Sequence, residues 1–330
     1  MTSKRSFSVF VGIILATLAI AQAALAQKSE DPAAYPSKVI KIIVPFAPSG
    51  PNDILARLIG DELAAKWNAS VIVDNRPGGG TIIGTQVAAK SPPDGYTLLM
   101  VSLSTATNIS LKKSLPYDTL NELTAVIRLA ESPNVLVVNN DAPVHSVSDL
   151  IALAKQKPNE ISYGSGGIGT ATDLAGHLLC VSTGTKMVGV PYKGDGPAAL
   201  DLLGGRIMWM FGTILPIMPQ VEAGKMRAIA VSGNQRLNVL PNVPTVAETI
   251  PNFNATSWYG IATPAGTPPA IIVKLNGAIN EILKTEKVSS FLKSQGTTPV
   301  GGDPQSFNAF FKSEVEKWGK VIKEAGIEPQ

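Results

Sequence analysis

The sequence predicts an α/β protein of two lobes, and three observations predict it. Short apolar runs alternate with segments of helical spacing along the whole chain. The 330 residues exceed what one hydrophobic core usually serves. No fixed-period repeat and no low-complexity linker divides them, so the chain is expected to cross between lobes more than once, leaving a hinge and a cleft. The expected organisation is a leader over 1–26, a discontinuous first domain from 27–131 and 256–330, and a second domain over 132–255.

The leader comes first in chain order. Lys4 and Arg5 precede an uncharged apolar run over 7–21, and Ala24-Leu25-Ala26 offers a small-x-small cleavage site before Gln27. The run is too short to span a bilayer, so the expectation is export to the periplasm with cleavage near Ala26. The apolar run 39–44 suits a strand buried on both faces of a parallel sheet. Pro45 breaks it, a Pro- and Gly-rich loop follows, and Asn52 and Asp53 occupy the expected N-cap of a helix. Leu55, Leu58, Ile59 and Leu63 form that helix's apolar stripe. Such a strand–loop–helix unit aims unpaired backbone N–H groups at the loop, where an anion can be held without a basic side chain.

The same logic predicts strands at 71–73, 96–101, 126–129 and 135–138, a helix over 83–90, and a polar loop over 102–108. Glu131-Ser132-Pro133-Asn134 is expected to carry the chain into the second lobe. There, Ser148 is read as the cap of a helix over 149–157, followed by a strand at 161–163, a glycine loop over 164–170 and a helix from Ala171. Strands at 187–190, 207–211 and 227–231 alternate with helices at 198–203 and 215–223, and the chain is expected to cross back near 254–260. Pro268 and Pro269 mark a helix start, and the spacing of Phe307, Phe310, Phe311, Val315, Trp318 and Ile322 predicts a C-terminal helix with its aromatic stripe in the core.

Composition excludes several functions. Removing Lys4 and Arg5 with the leader takes the formal net charge from +3 to +1, which gives no basic excess for nucleic acid or a membrane surface. Cys180 is the only cysteine and is read as a small buried residue. Gly164, Gly166 and Gly169 match a dinucleotide fingerprint, but Pro191 stands about 20 residues on, where a ribose-binding acid belongs. The 79–84 glycine segment has Walker spacing, yet Thr85 replaces the required Lys. His145 and His177 are the only histidines, no G-x-S-x-G surrounds a Ser, and no metal spacing occurs, so neither metal nor cofactor is expected. Asp173 reads either as a base beside a loop or as an acid serving its helix dipole. A secreted hydrolase or isomerase using Asp173 or a Ser is the rival from another class. What remains are loops at 46–53, 102–108 and 164–170, rich in hydrogen-bond donors and poor in chemistry, which suit reversible capture of a small polar or anionic molecule.

Ordered motifs then make a specific match. They are Val44-Pro45-Phe46 with Gly50 and Asp53-Ile54-Leu55-Ala56-Arg57, Asn75-Arg76-Pro77-Gly78, Pro93-Asp94-Gly95-Tyr96-Thr97-Leu98, Leu115-Pro116-Tyr117-Asp118 and Pro133-Asn134-Val135-Leu136-Val137-Val138. Val190-Pro191-Tyr192-Lys193-Gly194, Asp201-Leu202-Leu203-Gly204-Gly205, Pro244-Thr245-Val246-Ala247-Glu248 and Pro264-Ala265-Gly266-Thr267-Pro268 continue them. Across essentially all of the mature length the chain resembles the Bug family, the TctC-like extracytoplasmic solute receptors of tripartite tricarboxylate transport systems. The resemblance implies a two-lobed periplasmic binding protein of the Venus flytrap kind (type II), monomeric, taking a small carboxylate without metal or cofactor. Its partners would be membrane permease subunits, or a sensor protein where the receptor serves signalling.

By position, the resemblance implies ligand contacts from Phe46, Ala47, Ser49, Gly50 and Asp53, from Ser102, Ser104, Thr105 and Asn108, and from Ser165, Gly166, Gly169, Thr170, Asp173 and Tyr192. Three positions depart from the family pattern: Ser49 replaces a second Gly, Asp173 a His, and Gly212 what is often an Asp. An acid at 212 would partner an ammonium group, so its loss leads to the expectation of a carboxylate without an amino group, such as a dicarboxylate or an aromatic acid.

Overall fold

A computed structural model describes residues 32–48, 50–192 and 194–329, without the side chains of Leu215 and Pro216. The expected leader, its cleavage site and Ser49 lie outside the described residues. The chain divides into 1–35, whose described part is a turn at 32–34, and 36–330, which holds the strands and helices.

The first lobe opens with β1 (Ile40–Val44), α1 (Pro51–Trp67), β2 (Val71–Asn75), a 3-10 turn (Gly79–Thr81), α2 (Ile82–Ala89), β3 (Thr97–Ser102), α3 (Leu103–Leu111) and β4 (Leu123–Ser132). The second comprises β5 (Val135–Asn139), α4 (Val147–Gln156), β6 (Ser162–Ser165), α5 (Ala171–Thr183), β7 (Val188–Pro191), α6 (Asp195–Leu203), β8 (Trp209–Gly212), α7 (Ile214–Glu222) and β9 (Met226–Val231). The chain then returns through β10 (Ser257–Pro264), α8 (Pro269–Lys284), α9 (Glu286–Ser294), β11 (Thr298–Pro299) and α10 (Pro304–Glu324). One sheet runs β11-β4-β10-β3-β1-β2 and the other β7-β6-β8-β5-β9.

β1 pairs in parallel with β2 and β3, and its four apolar residues are buried while Lys41 is half-exposed, which explains why the run is apolar at every position except 41. β10 lies antiparallel between β3 and β4, so β4 extends well past the four residues its apolar run indicated. In the second sheet β6 pairs in parallel with β7 and β8, while β5 is antiparallel to β8 and β9.

Five local expectations are corrected. Helix α1 begins at Pro51 with Gly50 as its N-cap, because proline suits the first helical position; Asn52 and Asp53 fall inside the first turn. Residues 102–108 are not a loop: Ser102, extended, starts α3, and burial of Leu103, Ala106 and Leu111 outweighs the weak helix propensity of its Ser and Thr residues. The cap of α4 is Ser146, whose Oγ accepts from the Asp149 N–H at 3.1 Å, while Ser148 lies within the helix. Gly164 and Ser165 belong to β6, and Cys180 is half-buried.

The two crossings are bound side by side. Asn134, fully buried in the step from β4 to β5, donates its backbone N–H to Ser232 Oγ at 2.8 Å and its Nδ2 to the Ala255 carbonyl at 2.8 Å. Its Oδ1 accepts from Ser257 Oγ at 3.3 Å, and Ser232 Oγ donates to the same Ala255 carbonyl at 3.0 Å. One side chain on the outgoing strand thus ties both ends of the returning segment. Asn134→Ala leaves the Ser257 hydroxyl without its acceptor and removes one donor from the Ala255 carbonyl, so the protein should lose about 1–3 kcal/mol of stability. Urea denaturation measures this, with the loss in the midpoint rather than the slope.

Candidate functional site

Five helix N-termini converge on one cavity of about 410 Å³ between the two sheets. Pro51 and Asn52 line it from the start of α1, Ser102, Leu103 and Ser104 from α3, and Thr170, Ala171 and Thr172 from α5. Gly194, Asp195 and Gly196 add the start of α6, and Thr213 caps α7. The convergence follows from the connectivity: in a βα unit the helix begins at the carboxyl end of its strand, so neighbouring parallel strands bring their helix starts to one edge. Each start carries roughly half a positive charge on unpaired N–H groups. Ser257, Trp258 and Tyr259 of β10 complete the wall.

Two buried polar atoms in this wall lack a well-formed hydrogen bond among the described residues: Asn52 Oδ1, and Ser102 Oγ, which has only the loose capping-box contact with the Thr105 N–H. Their residues are 7 % and 6 % exposed, and both line the cavity. Buried polar groups are almost always paired, so atoms left open here mark a place where a ligand or water completes the bonding. The Trp258 indole is held from behind: Glu314 Oε2 accepts from Trp258 Nε1 at 2.9 Å and from Trp318 Nε1 at 2.8 Å. Phe307, Phe310 and Phe311 meet the Trp258 ring edge to face. The aromatic stripe of α10 therefore supports the cavity from the core side.

A second cavity of about 260 Å³ adjoins the first, and Phe46, Ser104 and Thr170 line both. Ser102 and Gly166 line the larger, while Ala47, Asn108 and Gly169 line the smaller. Asn108 Nδ2 donates to the Gly80 carbonyl at 2.7 Å and to Thr81 Oγ1 at 2.9 Å, pinning the left-handed turn at 79–81. The smaller cavity carries one charge of each sign, Lys112 and Glu328.

Six of the expected site residues line neither cavity, and each has a physical reason. Gly50 is spent as the cap of α1. Asp53 takes Arg57 in a fork at 3.0 and 2.9 Å and accepts Asn75 Nδ2 at 2.9 Å; Asn75 in turn holds the Phe46 carbonyl at 3.2 Å. Asp53 thereby fixes the loop that carries Phe46. Thr105 Oγ1 accepts the Ser102 N–H at 3.3 Å, and Tyr192 donates its hydroxyl to Asp201 at 2.8 Å. Ser165, fully buried, donates to Asp173 Oδ1 at 2.9 Å, and Asp173 Oδ2 accepts the Gly169 N–H at 2.9 Å. Asp173 thus shapes the glycine loop. His177 Nε2 lies 3.9 Å from Asp173 Oδ1, and burial lowers the imidazole pKa against the pull of that carboxylate.

Gly212, the third departure from the family pattern, lines neither cavity. A Cβ on Gly212 would lie 2.5 Å from Ile217 Cγ1 and 3.2 Å from Met210 Cε, so a side chain there meets the core of the second lobe. Residues that sequence reasoning passed over are Asn52 as a lining group, Thr172, Asp195, Thr213, Ser257 and Tyr259. The signal for most of them was the run of N-cap residue types at helix starts, legible only once those starts are placed correctly.

Two sheets joined by a double crossing, with helix starts facing an open cavity between them, define a two-lobed solute-binding protein. The model for the tripartite tricarboxylate transporter family receptor, TctC, matches residues 55–327, and the chain belongs to that family. It is a solute-binding protein of that transport class. Protein BugT of Bordetella pertussis is 38% identical over 319 residues, covering 96% of each chain. Among solved structures, R. palustris Rpa4515 with adipate is 35% identical with a TM-score of 0.80, covering 90% of this chain and 100% of that one. MatC from Rhodopseudomonas palustris with bound malate is 28% identical with a TM-score of 0.75, covering 87% and 100%.

The lobes touch at Gly169, whose φ of +76° suits glycine and whose missing side chain makes room for Leu111 of α3. A Cβ there would lie 2.4 Å from Leu111 Cδ1. Gly169→Ala should therefore wedge the cleft and weaken solute binding roughly tenfold or more, through about 1–3 kcal/mol of overpacking and backbone strain. Calorimetric titration measures the affinity, and small-angle scattering should give a larger radius of gyration than the parent when solute is saturating.

Proposed function

We propose that the cleft captures a small carboxylate by backbone and hydroxyl donors, that the lobes close on it, and that membrane permease subunits read the closed surface. The single observation that carries this is the convergence of five helix starts on a cavity holding the open buried atoms Asn52 Oδ1 and Ser102 Oγ. A carboxylate supplies what helix starts lack, an acceptor for several N–H groups, and the Ser102 hydroxyl can turn to donate to it. Asn52 presents its amide in the same way once Oδ1 and Nδ2 exchange places, a rotation that leaves its shape unchanged. Closure excludes water and strengthens each of these bonds. The ligand's preference for the closed form shifts the open–closed equilibrium by the ratio of its affinities for the two.

The adipate and malate bound to Rpa4515 and MatC support a carboxylate as the class. Asp173, the candidate base, does not line the larger cavity but bonds Ser165, so the lining serines have no carboxylate base beside them from this pair. This favours binding without turnover. The reading includes export to the periplasm with cleavage near Ala26, action as a monomer, a first domain from 27–131 and 256–330, and a second over 132–255. Delivery to a permease is favoured over sensing by the family to which the chain belongs.

A thermal-shift series of small carboxylic acids on the exported protein tests the reading. A true ligand should raise Tm progressively with concentration, reaching about 2.7 kcal/mol of added stability at a hundredfold excess over Kd. Ser102→Ala should reduce affinity by roughly tenfold, and should also lower the ligand-free stability by about 1 kcal/mol because Ser102 is the N-cap of α3 in a capping box with Thr105. A panel of acids that leaves Tm flat throughout would overturn carboxylate capture.

A further inference from the structure

The larger cavity is built for an anion, yet the one charged side chain among the described residues lining it is itself an anion, Asp195. Its oxygens are held firmly. Oδ2 accepts from the Thr213 N–H at 2.9 Å and from Thr213 Oγ1 at 2.7 Å, and Oδ1 accepts from Thr172 Oγ1 at 3.1 Å. Thr172 Oγ1 in turn accepts the Gly166 N–H at 2.9 Å, and its proton is shared between Asp195 and Thr170 Oγ1, 3.2 Å away, whose own proton goes to the Gly167 carbonyl. This network ties the starts of α5, α6 and α7 together and fixes the carboxylate in place.

The consequence is a division of the cavity. Asp195 sits in the first turn of α6 and accepts the N–H of Thr213, the cap of α7, so one of the five helix starts carries an internal acid and another already donates to it. The starts of α1 and α3 carry the open atoms of Asn52 and Ser102 and keep their donors for the ligand. One half of the cavity therefore accepts a carboxylate, and the other presents one. Asp195 Oδ2 holds two donors, whereas Oδ1 holds one and keeps an acceptor position.

Resting on the carboxylate-capture reading, we infer that Asp195 is the selectivity residue of this receptor: it rejects a second carboxylate and accepts a primary ammonium, so the solute is a small monocarboxylate that carries an amine. A dicarboxylate would set its second charge against Asp195 in a site whose described lining offers no Lys or Arg to offset it. An ammonium meets Oδ1 with a charge-assisted bond. The acid that position 212 lacks is thus supplied from the neighbouring helix start, and the expectation of a ligand without an amino group is replaced.

Calorimetric titration of the exported protein, freed of bound solute, tests this with length-matched pairs: γ-aminobutyrate against succinate, and δ-aminovalerate against glutarate. The protein should bind the amine of at least one pair roughly tenfold or more tighter than its dicarboxylate, the scale of one like-charge contact in a partly screened site. Asp195→Asn, which keeps the shape and removes the charge, should erase that preference by weakening the amine and strengthening the dicarboxylate. Equal or tighter binding of the dicarboxylates by the parent protein overturns the inference while leaving carboxylate capture intact. Loss of amine binding in Asp195→Asn with no gain for the dicarboxylate, in a variant whose circular dichroism matches the parent, also overturns it. If neither member of either pair binds either protein, the inference falls; a flat thermal-shift panel then tells whether carboxylate capture falls with it.

Discussion

Helices that follow parallel strands must begin at the strands' carboxyl ends, and the rest of this structure depends on that constraint. It gathers the starts of α1, α3, α5, α6 and α7 around one cavity without any residue having been placed there for charge. The partial charges come from the backbone, so the wall can be made of Gly, Ser, Thr and Asn, and a net charge near zero is no obstacle to holding an anion. A site of this kind discriminates through what interrupts it. Here the interruption is Asp195, half-buried and held by threonine and backbone donors that fix its orientation before any solute arrives.

The second requirement is a hinge that keeps the two halves of this wall in register. The bonds from Asn134 to Ser232, Ala255 and Ser257 hold the outgoing and returning segments as one unit. Motion is thereby confined to rotation of whole lobes about a stiff seam. The same stiffness extends into the floor, where Glu314 joins Trp258 of β10 to Trp318 of α10. The moving parts and the rigid parts are therefore distinct: Leu111 against Gly169 lies at the lips, while the tryptophans lie at the base.

Much of the fold was legible in the sequence because its strongest signals are local. The run 39–44, the stripe of α1 and the aromatic spacing of α10 each report their own burial. The helix α3 was not legible, since Ser104, Thr105, Thr107 and Asn108 have low helix propensity and only packing against α10 and the sheet selects the helix. That error carried into the site. Reading 102–108 as a loop gives every polar residue there an equal claim on the ligand, whereas the helix turns Ser102 and Ser104 to the cavity and leaves Thr105 behind it. Asp195 was missed for a different reason: an acid in the first turn of a helix is the ordinary companion of the dipole, and nothing in the sequence distinguishes one that faces a cavity.

The lining side chains occupy cap and first-turn positions, where small polar residues interchange at a cost of tenths of a kcal/mol to about 1 kcal/mol. The core that sets the fold lies elsewhere, in the sheets and behind Trp258. Solute preference and stability are thus written in nearly separate sets of residues. A receptor built this way can drift from one solute to another by single substitutions at Asn52, Ser102, Thr172 or Asp195 without passing through an unfolded ancestor. Evolvability of this kind suits a scaffold whose relatives hold different acids on the same frame.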